Sequence, residues 1–88
     1  MGTLEQKIKT IIANAIEIDI SELGEESGIY RVRNWDSLGH LTVVVALENQ
    51  FGISIPDEEL EHLTTVSTIV NYFERRLRRV HQHEDSGT

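Results

Sequence analysis

Cysteine is absent from this chain of 88 residues. The protein therefore has no disulfide framework, no thiolate nucleophile and no thiolate metal site, a composition that fits the cytoplasm. Any thiol chemistry in which it takes part must use a sulfur that comes from a cofactor.

Lys and Arg are missing from Asn34 to Glu74, whereas acidic residues recur through that stretch, and the formal net charge is -7. This charge argues against nucleic acid and against an anionic membrane surface as partners. It predicts partner proteins that present Lys and Arg.

Long apolar runs are also missing, since the longest, residues 43–47, is far too short to span a bilayer. The chain does not open with a charged leader followed by an apolar segment, so we expect a cytoplasmic protein without a membrane anchor. Its apolar fraction of 39% is enough for one small core. We expect a monomer with one domain over residues 1–80 and a flexible tail over residues 81–88.

Apolar residues at helical spacing predict an all-α fold, a small four-helix bundle with three main helices and one short one. The first helix is predicted over residues 3–16. The second runs from the N-cap Asp36 to about Phe51, with Gly52 as its stop. The short third helix follows Pro56 and ends near His62, and the last begins near Thr65.

The long loop between the first two helices, residues 17–35, contains four spaced aliphatic residues. We expect Ile18, Ile20, Leu23 and Ile29 to hold it on the core, and Trp35 to anchor it at the start of the second helix.

The second helix carries two apolar stripes at about 100° per residue. One stripe suits the core and consists of Val43, Val44, Leu47 and Phe51. The other consists of Leu38, Leu41 and Val45, with Glu48 continuing it. This second stripe is either covered by the long loop or exposed for a partner.

Ser37 stands where this helix begins. The first N–H groups of a helix have no intrahelical acceptor and lie at the positive end of the macrodipole, so a phosphodiester on this hydroxyl would be stabilised. The plainer alternative is that Ser37 only caps the helix.

Several motifs together resemble one family. They are Asp36-Ser37-Leu38, Ala46-Leu47-Glu48, Phe51-Gly52, Ile55-Pro56-Asp57-Glu58-Glu59 and Leu63-Thr64-Thr65-Val66. The chain resembles the acyl carrier proteins from Thr3 to about Leu77.

The resemblance implies that a phosphopantetheinyl transferase moves 4′-phosphopantetheine from coenzyme A onto Ser37, with Asp36 and Leu38 as its recognition motif. The arm's thiol then holds acyl groups as thioesters for acyl-loading, condensing or modifying enzymes with basic docking surfaces. The carrier itself is not an enzyme. The implied docking residues are Leu41, Val45, Glu48, Glu58, Glu59 and Glu61. Short or medium acyl chains are implied to enter between the helices past Val44, Leu47, Phe51, Leu63 and Ile69.

Other interpretations stay open. The chain could be an unmodified helical interaction module, or an aminoacyl or peptidyl carrier, although it lacks the paired glycines usual before a peptidyl carrier's serine. The resemblance implies fatty-acid, polyketide or related secondary-metabolite biosynthesis. The neighbourhood of Arg33-Asn34-Trp35 and Gly39-His40 favours a specialised pathway, such as secondary metabolism, over bulk fatty-acid synthesis. A catalytic Ser37–His40 pair and a metal site at His81 and His83 are disfavoured, because further partners are missing.

Overall fold

The computed structural model describes the backbone of residues 3–87 and the side chains of residues 4–78. The described residues form α1 (Thr3–Ile16), a 3-10 helix (Ile20–Glu22), α2 (Ser37–Phe51), α3 (Asp57–Leu60) and α4 (Val66–Gly87). The β structure within that range is limited to an isolated antiparallel bridge between Gly28 and Thr65. The predicted all-α bundle with its long loop is therefore confirmed.

Helix ends follow local chemistry. Gly52 adopts a left-handed conformation (φ 65°), and its N–H bonds to the carbonyl of Glu48, which ends α2 as the sequence predicts. The third helix ends at Leu60, earlier than predicted, because the N–H groups of His62 and Leu63 make tighter turn bonds to the third preceding carbonyl.

The last helix continues to Gly87 and so passes residue 80, where the domain was predicted to end. Side chains beyond Arg78 lie outside the described residues. The division into a domain of residues 1–80 and a tail of residues 81–88 stays a prediction. His81 and His83, considered as metal ligands, also fall in this part of the chain.

The core forms where α1 packs against both α2 and α4. Its largest fully buried side chains are Trp35, Phe73, Ile8, Ile12, Leu47, Ile69, Val43 and Val66. The core stripe predicted for α2 is confirmed, and Phe51 at its end stacks on Phe73 with ring centroids 4.6 Å apart. None of the helices in the described residues is both long and apolar enough to cross a membrane.

The residues implied to admit an acyl chain belong to this packed core. Val44, Leu47, Leu63 and Ile69 are buried, and Phe51 is half-buried. Each is thus accounted for by packing, and entry of an acyl chain between them stays a prediction.

The long loop is held at several points. Leu23 is buried, and Ile18, Ile20 and Ile29 are partly buried against the core, as predicted. The guanidinium of Arg33 donates two hydrogen bonds to the carboxylate of Glu22, at 3.1 and 3.0 Å. The bridge at Gly28 ties the loop to the segment before α4, so the loop is a built part of the fold.

Candidate functional site

Ser37 is the first residue of α2, and its side chain is exposed. The N-cap is Asp36, whose carboxylate oxygen Oδ1 accepts a hydrogen bond from the N–H of Gly39 at 2.9 Å. The interpretation of Ser37 as the capping residue is therefore wrong, because its neighbour performs that function. The Ser37 hydroxyl is left available for another bond.

Two backbone donors remain beside that hydroxyl. In the part of the chain that the structure describes, the N–H groups of Ser37 and Leu38 have no hydrogen-bond acceptor. Ser67 provides a comparison, since it also lies in the first turn of a helix, α4. Its side chain is half-buried, and its N–H donates to the carbonyl of Glu25 at 3.1 Å. The start of α2 is thus the more accessible of the two.

Trp35 fixes the position of this helix start. Its side chain is fully buried, and its indole N–H donates to Nδ1 of His40 at 3.0 Å. The predicted anchoring of the loop by Trp35 is confirmed. The carbonyl oxygen of Asn34 lies close to the backbone of Gly39. A Cβ at position 39 would be 2.2 Å from that oxygen, so this approach requires glycine. The Asn34 side chain in turn donates to the carbonyl of Ile16 at 2.9 Å.

His40 belongs to this junction. Burial lowers the pKa of His40 from its ordinary value of 6.5. Its Nδ1 accepts from Trp35, and its Nε2 is buried without a hydrogen-bond partner among the described residues. The imidazole therefore packs at the junction and is not bonded to Ser37, so a Ser–His pair does not form.

Tyr30 is the residue that the sequence analysis missed. Its hydroxyl is hydrogen-bonded to Oγ of Ser37, and its side chain is 71% exposed. The loop between them contains two left-handed residues, Tyr30 (φ 68°) and Asn34 (φ 70°). No periodicity predicts a contact across such irregular backbone, so the sequence contained no signal for it.

The second stripe of α2 is exposed, which resolves the alternative left open by its sequence. Leu38, Leu41 and Val45 are 74%, 58% and 53% exposed. The loop does not cover them. Glu58 and Glu61, on and just after α3, are exposed as well. The described surface thus combines apolar side chains on α2 with exposed carboxylates near α3.

The other two predicted docking carboxylates have additional contacts. The Glu48 carboxylate accepts the N–H of Ile55 at 2.8 Å and so stabilises the link after α2. Glu59 is half-buried and lines a surface cavity of about 440 Å³ together with Pro56, Tyr72, Arg75 and Arg76. Glu59 therefore shares its surroundings with two guanidinium groups of α4.

Comparison with known protein families matches residues 6–73 to the family described as the phosphopantetheine attachment site. The match spans most of the chain and includes the whole of α2. The residues at the start of α2 fit the group chemically, because an exposed hydroxyl there is not used for capping and adjoins unpaired backbone donors. The chain belongs to the phosphopantetheine attachment family, whose members are carrier proteins with covalently bound 4′-phosphopantetheine.

Proposed function

We propose that Ser37 is the attachment residue and that the protein carries acyl groups as thioesters between enzymes. The observation that supports this most directly is that the residue that caps α2 and the residue that presents an exposed hydroxyl there are different. Asp36 caps the helix, so the exposed hydroxyl of Ser37, which is hydrogen-bonded to the exposed Tyr30, is available for covalent modification. The carrier is a substrate of its partner enzymes and does not itself catalyse a reaction.

Attachment requires a simple exchange of bonds. Oγ of Ser37 forms a bond to the phosphorus that carries pantetheine, and the phosphorus–oxygen bond inside the pyrophosphate of coenzyme A breaks. The serine proton is released, and adenosine bisphosphate leaves. Once attached, the group supplies the thiol that this cysteine-free chain lacks.

The surface beside Ser37 suits transient docking. The exposed stripe of Leu38, Leu41 and Val45 provides apolar contact, and Glu58 and Glu61 provide negative charge that steers basic partners. We propose that the phosphopantetheinyl transferase and the acyl-loading, condensing or modifying enzymes all use this surface. Encounters dominated by exposed charges are fast and sensitive to salt, as a shuttle requires.

The cargo is proposed to be acyl, because the paired glycines typical of peptidyl carriers are absent before Ser37. The residues flanking the motif favour a specialised pathway, such as secondary metabolism, over bulk fatty-acid synthesis. We also propose that the carrier is monomeric and works in the cytoplasm. An aminoacyl carrier is the second candidate. The intact mass of the loaded protein from its native cell distinguishes the two, because an amino acid adds nitrogen to the cargo.

Intact-mass analysis tests the attachment residue. After incubation with coenzyme A and a broad-specificity phosphopantetheinyl transferase, we expect the protein to gain one phosphopantetheinyl group. Ser37→Ala should abolish the gain, whereas Ser67→Ala, the matched change in the first turn of α4, should leave it intact. A wild type that several such transferases leave unmodified, or a Ser37→Ala variant that still gains the mass, contradicts the proposal.

A further inference from the structure

The hydroxyl of Tyr30 contacts Oγ of Ser37, the atom that is proposed to be modified. It is the side-chain partner that the structure gives to Oγ of Ser37. The Tyr30 ring is largely exposed, so packing in the core does not account for its position. Its contact with Ser37 is therefore the feature to explain.

The backbone holds Tyr30 in this place despite an unfavourable conformation. Its φ of 68° is rare for a residue with a bulky side chain. The N–H of Tyr30 donates to the carbonyl of Trp35 at 2.6 Å, and the N–H of the preceding residue, Ile29, donates to the carbonyl of Thr64 at 2.9 Å. The loop thus keeps an exposed tyrosine in a costly geometry that places its hydroxyl on Ser37.

Modification of Ser37 changes which acceptor atoms are available to the Tyr30 hydroxyl. Oγ of Ser37 loses its hydrogen and becomes an ester oxygen, which is a poor acceptor. The two non-bridging oxygens on the same phosphorus carry the negative charge, and hydrogen bonds to charged acceptors are shorter and stronger than neutral ones. A tyrosine hydroxyl already at Oγ is within reach of these oxygens.

Basic side chains offer little competition for the phosphate. No Lys or Arg occurs from Asn34 to Glu74, so α2 and α3 supply none. Among the loop arginines, Arg33 is engaged by the carboxylate of Glu22. Arg31 is exposed and next to Tyr30 in sequence, and so it is the alternative donor.

We propose that the Tyr30 hydroxyl donates a hydrogen bond to the phosphodiester on Ser37 and restrains the root of the phosphopantetheine arm. This inference rests on the proposed attachment at Ser37. It makes Tyr30 a phosphate-contacting residue, and the free protein already holds its hydroxyl in place.

The test uses the modified wild type and the variants Tyr30→Phe, Tyr72→Phe and Arg31→Gln. Tyr72→Phe is the matched control, because it removes the same atom from a tyrosine whose hydroxyl is bonded by Arg76 on α4. Two quantities are measured: the 31P chemical shift of the phosphodiester, and the change in thermal midpoint between unmodified and modified protein.

We expect Tyr30→Phe to move the 31P resonance and to reduce the stabilisation that modification brings, while Tyr72→Phe matches the wild type in both. The same 31P resonance and the same change in midpoint for Tyr30→Phe and wild type overturn the inference. A resonance that moves in Arg31→Gln and not in Tyr30→Phe also overturns it, in favour of the arginine.

The two proposals fail in different ways. If intact mass shows that wild type and Tyr30→Phe are modified equally but their 31P resonances coincide, attachment at Ser37 stands and the role of Tyr30 is refuted. If the wild type gains no mass at Ser37, both proposals are refuted together.

Discussion

The indole N–H of Trp35 and the Nδ1 of His40 form a hydrogen bond of 3.0 Å that joins the end of the long loop to the first turn of α2. The two ring planes are inclined by 27°, with centroids 6.1 Å apart. Because Ser37 lies between these residues in the chain, the pair sets the position of the proposed attachment site. The bond requires an unprotonated Nδ1, so it depends on the charge state of His40.

This dependence predicts a loss of stability in mild acid. The pKa of His40 is lowered by burial in the folded protein, whereas the unfolded chain binds the proton near pH 6.5. The contribution is therefore complete above about pH 6.5 and declines as the pH falls toward the lower folded-state pKa. His40→Asn keeps an acceptor near Nδ1 but cannot titrate. Urea unfolding between pH 7.5 and 5 should show a smaller decline for this variant than for wild type; equal declines would contradict the prediction.

The carboxylates with altered pKa act in a lower pH range. The pKa of Glu22 is lowered by its hydrogen bond from Arg33, and that of Asp19 by its hydrogen bond from Ser21. Their contributions are present above the ordinary carboxylate range and are lost as the pH falls below it. The interval from pH 7.5 to 5 therefore isolates the effect of His40 from theirs.

Close packing at Gly39 predicts that a single added methyl group is harmful. A Cβ there would meet the carbonyl oxygen of Asn34 at 2.2 Å, so the loop must move, and we expect Gly39→Ala to destabilise the fold by about 1–3 kcal/mol. Gly24→Ala is the control, because a Cβ at Gly24 has nothing within 4 Å. Denaturant midpoints give the comparison. If Gly39→Ala were as stable as Gly24→Ala, the contact would not constrain the helix start.

Because Asp36 caps α2 and Ser37 does not, we predict that the effects on stability and on modification can be separated. Asp36→Ala removes the cap and should cost about 0.5–2 kcal/mol of unfolding free energy. Ser37→Ala should change it by less than about 0.5 kcal/mol, although it abolishes modification. Thermal unfolding and intact mass of both variants provide the measurement. A larger loss of stability in Ser37→Ala than in Asp36→Ala would indicate that Ser37, and not Asp36, caps the helix.

The acidic surface near α3 predicts a salt-sensitive encounter with the transferase. Glu58→Lys and Glu61→Lys should each raise the KM for the carrier about two- to fivefold at low salt, since an exposed ion pair contributes up to about 1 kcal/mol. The effect should fade as NaCl is added.

Glu74→Lys makes the same change of charge at an exposed position on α4 and serves as the control. An equal rise of KM in that variant would mean that net charge, and not the surface beside Ser37, governs the encounter.

Prediction from sequence succeeded where a feature repeats locally. The spacing of Val43, Val44 and Leu47 identified the buried face of α2, and Gly52 identified its end, because a helix imposes a period of 3.6 residues and a left-handed stop favours glycine. The exposed stripe was recognised, but sequence left open whether the loop would cover it. That question depended on how the loop packs against the core.

The roles of single side chains were harder to predict. Docking by Glu48 stays a prediction, and nothing in the sequence indicated that its carboxylate also accepts the N–H of Ile55. From sequence, either ring nitrogen of His40 could bond to a partner. In the structure, the buried indole of Trp35 donates to Nδ1. Such contacts depend on where the chain turns between elements, and no repeating pattern records this.

By itself the sequence determined an acidic, helical chain, because composition, helical period and capping chemistry act over a few neighbouring residues. The resemblance of its motifs to one family added the expectation of a carrier with Ser37 as its attachment residue. The tertiary structure alone decided that Tyr30 reaches Ser37 and that Gly39 must admit the Asn34 carbonyl. Both contacts need the left-handed backbone at Tyr30 and Asn34. Those conformations are held by hydrogen bonds to distant segments, so they follow from the folded chain as a whole.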